Sequence, residues 1–161
     1  MPLEYGTIVP MHYMNAGSWA KVLPVAVPLF ATIEENRKFG AVLRRVIETS
    51  LYRVAVLASG SLSHKLVPNS QVGDDQWDCD PPEFSRQMDL RVVELWRTGR
   101  FREFVRLLPD YTTKCNDGAL MADTQMLFGL LGRDNYQGRA EILCDYFPSS
   151  GSGQINVEFH L

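Results

Sequence analysis

Val54-Ala55-Val56-Leu57-Ala58-Ser59-Gly60-Ser61-Leu62-Ser63-His64 constrains the fold more than any other stretch of this chain. Its first half is short, continuous and valine-rich, which is how a strand buried on both faces reads. It then breaks into small residues, and Gly60 marks a tight turn or a close backbone approach. His64 follows just beyond the carboxyl end of that strand. In open α/β sheets, ligands and chemistry collect there. Two readings stay open for His64: a functional histidine at a strand end, or a loop histidine bonded to its neighbours.

A strand of this kind needs a sheet around it. Val22-Leu23-Pro24-Val25-Ala26-Val27-Pro28 supplies a second strand, and its two prolines suit a strand end or an edge. Between the two, residues 32–51 read as a helix. Thr32 and Glu35 stand at capping-box spacing, and Phe39, Val42, Leu43, Val46 and Ile47 form an apolar stripe. Strand, helix and strand with short connections predict parallel pairing through a right-handed crossover. The expected fold class is therefore α/β, a central and mostly parallel sheet flanked by helices.

The remaining segments fill in around that unit. Residues 3–11 read as a loop entering a short apolar segment. Residues 65–82 carry Pro, Asn, Gly and Asp without an apolar period, a long surface loop beside the His64 turn. Helices are expected over residues 82–98, closed by Gly99, and over 100–108, stopped by Pro109. A further helix over 119–131 is closed by Gly132, with Asp123 in its first turns. Residues 140–146 and 154–159 read as strands around a Ser/Gly turn at 148–153.

At 161 residues the chain fits one domain with a real core, and 45% apolar against 22% charged residues is a globular composition. Sixteen basic residues face nineteen acidic ones, so there is no basic patch for nucleic acid. Arg97, Arg100, Arg102 and Arg106 cluster, but Glu94, Glu103 and Asp110 are interleaved as on a solvated helix face. No apolar run reaches the roughly 18 residues of a membrane helix, and no secretory signal is visible. Cys79, Cys115 and Cys144 form no CxxC pair, so a reducing, cytoplasmic setting is expected.

Familiar catalytic motifs fail on spacing. Neither serine of Gly60-Ser61-Leu62-Ser63-His64 has a glycine two residues on, and no Walker or Rossmann glycine pattern occurs. His12, His64 and His160 are the only histidines, and no two share a helical or strand spacing that would seat a metal. His12 and His160 read as exposed.

Five stretches in order carry a resemblance: Leu3-Glu4-Tyr5-Gly6-Thr7-Ile8-Val9-Pro10-Met11, residues 54–64, Phe84-Ser85-Arg86-Gln87-Met88-Asp89, Asp123-Thr124-Gln125-Met126-Leu127, and Ser149-Ser150-Gly151-Ser152-Gly153-Gln154-Ile155-Asn156. Together they resemble the class III (LigB-type) extradiol ring-cleavage dioxygenases, especially the homoprotocatechuate branch. The resemblance implies that residues 1–161 are a single domain, the C-terminal part of the family's catalytic subunit. It implies a non-haem Fe(II) enzyme that opens the ring of a catechol such as 3,4-dihydroxyphenylacetate with O₂. His64 matches the catalytic acid/base in the motif Ser-Gly-x-x-Ser-His. Asp123 matches the carboxylate ligand of the iron, although many relatives carry glutamate there. An aspartate that only complements the helix dipole remains the alternative. Tyr5 stands where many relatives have a histidine that contacts substrate or oxygen, a departure the homoprotocatechuate branch shares.

In the family, two histidine ligands come from a portion that precedes the Glu-Tyr-Gly-Thr segment. The resemblance therefore implies two further Fe(II) ligands from outside this chain, and a homo-oligomer or a complex with an N-terminal half. Such a site leaves open positions for a catechol chelate and for O₂. The catechol must lose protons to chelate, and an imidazole exchanges protons near neutral pH. The alternatives are a non-enzymatic interaction module or an inactive truncated fragment, because a fold alone does not carry a function.

Overall fold

The structure is a computed structural model, and it describes residues 5–28, 30–64, 70, 79–116 and 120–161. Five helices are described: α1 (Tyr5–Met14), α2 (Ile33–Glu48), α3 (Glu83–Arg97), α4 (Phe101–Cys115) and α5 (Ala122–Leu131). Four short strands follow: β1 (Arg139–Ile142), β2 (Phe147–Ser149), β3 (Ser152–Gln154) and β4 (Val157–His160). The architecture is mixed α/β. Among the described residues no helix is long and apolar enough to cross a membrane.

α2 begins as its sequence dictates. Thr32 accepts from the Glu35 backbone N–H at 3.2 Å, and the Glu35 carboxylate accepts from the Thr32 N–H at 2.8 Å. Two orphan donors of the first turn are thus satisfied reciprocally. α2 lies against α5 with backbone almost touching backbone. A Cβ on Gly40 would run into the Met126 carbonyl, and one on Gly129 into the Arg37 carbonyl. Glycine at both crossing points is what permits that separation. Leu43 and Ile47 of the α2 stripe pack against the core, while Phe39, Val42 and Val46 stay exposed.

α3 and α4 form a hairpin through Gly99, whose φ of +69° suits a residue without a Cβ. Their facing sides bury Val92, Leu95, Trp96, Phe104, Leu108 and Tyr111. Phe128 of α5 enters this cluster 4.7 Å from the Phe104 ring, and Phe101 meets Tyr136 at 4.6 Å. On the outer side Arg91 and Arg100 pair with Glu94 and Glu103, the solvated face expected from the interleaved charges.

Pro109 does not end the third predicted helix. α4 runs on to Cys115, because Leu108, Tyr111, Thr112 and Cys115 continue one buried stripe. That burial outweighs the roughly 3 kcal/mol that an interior proline costs a helix. Residues 5–14, expected to be loop, are helical, with Gly6 and Pro10 inside and no residue buried. Without a buried face there was no apolar period to betray the helix.

The two C-terminal strands of the sequence reading resolve into four. β1 pairs antiparallel with β4, Arg139 opposite His160 and Ile142 opposite Val157. β2 pairs antiparallel with β3 across Ser150 and Gly151, both at positive φ as a two-residue hairpin of matching twist requires.

The central parallel sheet of the sequence reading is not formed among the described residues. Residues 22–28 and 53–57 are in neither helix nor strand. Val54, Val56 and Leu57 are 44–49% exposed. Both segments keep the apolar composition of buried strands, but a ladder needs neighbouring strands, and these have none among the described residues. Most of the predicted loop at 65–82 (65–69 and 71–78) and the first residue of the predicted 119–131 helix lie outside the described residues.

Candidate active site

The His64 turn is held from several sides. The Leu62 N–H donates to the Gly153 carbonyl and the Gly153 N–H to the Ser63 carbonyl, both at 2.9 Å, so β3 clasps the turn as a strand would. The His64 N–H donates to the Cys115 carbonyl at the end of α4, again at 2.9 Å. Gln154 donates to the Ser61 hydroxyl at 2.8 Å, and the Asn116 amide donates to the Leu62 carbonyl. Ser63 gives both its N–H and its hydroxyl to the Asp89 carboxylate, at 3.1 and 2.6 Å. The backbone polar groups of the turn are therefore satisfied by partners distant in sequence. His64 itself is half-buried.

Asp123 is the second residue of α5, in the first turn where a helix dipole favours a carboxylate. The backbone of Gly60 lies directly against it, since a Cβ there would collide with both carboxylate oxygens. Burial pushes the Asp123 carboxyl above the usual carboxylate range. The backbone N–H groups of Thr124 and Asp123 and the charge of His64 oppose that rise. Gly60, His64 and Asp123 are thus brought to one place from two ends of the chain.

The entry to α5 is strained. Leu120 and Met121 hold φ of +52° and +47° in succession, and neither is glycine. Left-handed backbone costs an L-residue roughly 1–2 kcal/mol, and it persists where the surroundings over-determine it. Here Asn116 supplies the constraint. Its side chain, 1% exposed, accepts from the Met121 N–H at 3.3 Å while donating to Leu62. One amide ties the start of the Asp123 helix to the His64 turn.

The other sequence candidates lie elsewhere. Tyr5 is 83% exposed at the start of α1 and does not join this cluster. His12 is exposed on the same helix, and His160 sits on β4 near Glu141 and Glu158. Among the described residues no three His, Cys, Asp or Glu gather as a metal site. Asp123 alone offers a buried carboxylate, and one carboxylate does not hold a ferrous ion. The residues described do not fit the metal by themselves.

With this geometry in place the comparisons are informative. Residues 1–160 match the family described as the catalytic LigB subunit of aromatic ring-opening dioxygenase. The chain belongs to the LigB family. It is 44% identical over 142 residues to the 3,4-dihydroxyphenylacetate 2,3-dioxygenase of Escherichia coli, covering 86% of this chain and 50% of that protein. It is 28% identical over 117 residues to the 2-aminophenol 1,6-dioxygenase beta subunit of a Pseudomonas species, covering 67% of this chain and 38% of that one. The chain therefore spans about half the length, or less, of these LigB-type relatives.

Two residues of this LigB chain escaped sequence reasoning as site residues. Asp89 carried a signal: it lies three and four positions before Val92 and Val93, on the apolar stripe of α3, where a carboxylate is rarely left unpaired. Asn116 carried none, because only the folded chain places Leu62 and Met121 on either side of it.

Proposed function

We propose that this chain is the C-terminal portion of a catalytic subunit that opens the ring of a catechol such as 3,4-dihydroxyphenylacetate with O₂. The observation that carries the reading is the meeting of His64 and Asp123. These are the two residues that the family resemblance marks as proton carrier and ligand. His64 stands on a turn whose backbone is fully bonded, so its imidazole is presented at a fixed place. It takes a proton from a catechol hydroxyl as substrate binds and returns one to a substrate oxygen as the ring opens.

A ferrous ion supplies the oxygen chemistry when bound, with Asp123 as one ligand and two histidines from outside this chain as the others. Tyr5 enters on the resemblance alone, as a substrate contact once the rest of the subunit surrounds α1. In that setting residues 22–28 and 53–57 take their places as parallel strands of a central sheet. The assembly is a homo-oligomer or a complex with an N-terminal half. A relative that is itself a beta subunit supports a multi-chain form. The free thiols of Cys79, Cys115 and Cys144 suit a reducing cytoplasm.

The test is reconstitution of the complete protein with Fe(II) without air, then addition of 3,4-dihydroxyphenylacetate and O₂. A yellow ring-opened product is expected. His64→Phe keeps its iron and loses roughly 10²–10⁴-fold in kcat, the usual worth of a positioned acid/base group. Asp123→Ala loses iron first. A complete protein that takes up no iron and opens no catechol overturns the proposal and leaves a binding module on the same fold.

A further inference from the structure

We infer that Asp89 is a positioning residue for His64: its buried carboxylate gathers four hydrogen bonds and fixes the turn that presents the imidazole. The inference rests on the reading of His64 as a proton carrier and assigns a role to a residue that touches neither substrate nor metal.

Each carboxylate oxygen of Asp89 takes one donor from Ser63 and one from a tyrosine. Oδ1 accepts from the Ser63 N–H at 3.1 Å and from the Tyr111 hydroxyl at 2.5 Å. Oδ2 accepts from the Ser63 hydroxyl at 2.6 Å and from the Tyr146 hydroxyl at 2.7 Å. Bidentate capture of this kind leaves Ser63 little freedom to rotate or slide, and His64 is the next residue. The carboxylate in turn cannot move. Tyr111 holds it from α4 and Tyr146 from the segment before β2, and the Gly153 backbone lies so close that a Cβ there would strike Oδ2. Asp89 is fully buried, so no water competes for these bonds.

The arrangement is costly as mere scaffolding. An apolar side chain at this point of α3 would complete the stripe of Val92, Val93 and Trp96 without desolvating a charge. A carboxylate recovers that cost only through all four donors, and two of those belong to the residue beside His64. Fixing a proton carrier matters because a misplacement of about 1 Å can lower turnover about 10²-fold.

The experiment uses the complete, iron-loaded protein and the variants Asp89→Asn and Ser63→Ala. Asparagine keeps the shape of Asp89 but replaces one acceptor oxygen by a donor, and alanine removes only the Ser63 hydroxyl. Both variants are expected to bind iron and catechol as the parent does, with KM within about twofold and kcat lowered roughly 10- to 100-fold. In the iron-free protein, the His64 ring resonances should change from one sharp set to broadened or multiple sets. A merely structural role would lower thermal stability while leaving kcat per bound iron and the ring resonances unchanged, and that result overturns the inference. Should Asp89→Asn fail to fold, Ser63→Ala decides alone. Should the parent protein open no catechol, the dioxygenase reading fails, and the ring resonances still test whether Asp89 holds His64.

Discussion

At the scale of single residues, the site depends on two carboxylates kept where carboxylates are uncomfortable. Burial pushes the Asp89 carboxyl above its ordinary value of 3.8, and the bonds from Ser63, Tyr111 and Tyr146 only partly oppose that. The sign of the consequence follows. Between the ordinary and the raised value, the native state holds a proton that the unfolded chain has released, so raising the pH favours unfolding. The stability that Asp89 contributes is fully present below 3.8 and is lost as the pH rises through the raised value. Urea unfolding of the parent and of Asp89→Asn, at about pH 4 and about pH 7, measures this. The stability of the parent relative to the variant should fall toward neutral pH, and a rise would show that the four hydrogen bonds outweigh burial. The same residues show what could be read in advance. His64 and Asp123 were legible through motif resemblance, and Asp89 through a charge on an apolar stripe. Asn116 was not, because its meaning lies in two partners that the sequence keeps apart.

At the scale of elements, local chemistry was legible wherever it decided the outcome. Thr32 and Glu35 announced the start of α2, and Gly99 announced the end of α3. The reading failed where packing overruled local preference. Pro109 was expected to stop a helix that a buried stripe carries on to Cys115, and α1 forms without any stripe at all. The crossing of α2 and α5 has a sharper dependence. Gly40→Ala and Gly129→Ala each place a methyl group against a carbonyl of the facing helix, and neither backbone can yield without parting the pair. Each substitution should destabilise the protein by about 1–3 kcal/mol, the usual penalty for overpacking. Chemical denaturation measures this, and a variant as stable as the parent would mean that the helices lie farther apart than described.

At the scale of the whole molecule, the segments that read most plainly as strands are the ones left unpaired. Val22, Val25, Val27, Val54, Val56 and Leu57 keep the composition of a buried sheet while standing 38–49% exposed. Composition revealed what these segments are suited to, but a ladder is a property of neighbours. Amide hydrogen exchange separates the two situations. In the 161-residue chain alone, residues 53–57 should exchange as freely as an unstructured peptide. In the complete subunit they should be among the slowest, and fast exchange there would remove the parallel sheet from the proposal.

The clasp around the His64 turn also sets an order of events during folding. Its partners lie far along the chain: 26 residues separate Ser63 from Asp89, 54 separate Leu62 from Asn116, and 93 separate Ser61 from Gln154. Loops of that length close late, because their entropy is lost before any contact repays it. The α3–α4 hairpin has no such delay, since its partners are joined by Gly99. The scaffold therefore forms ahead of the site, and the last stretch to be synthesised, through Gly153 and Gln154, is the one that locks the histidine in place.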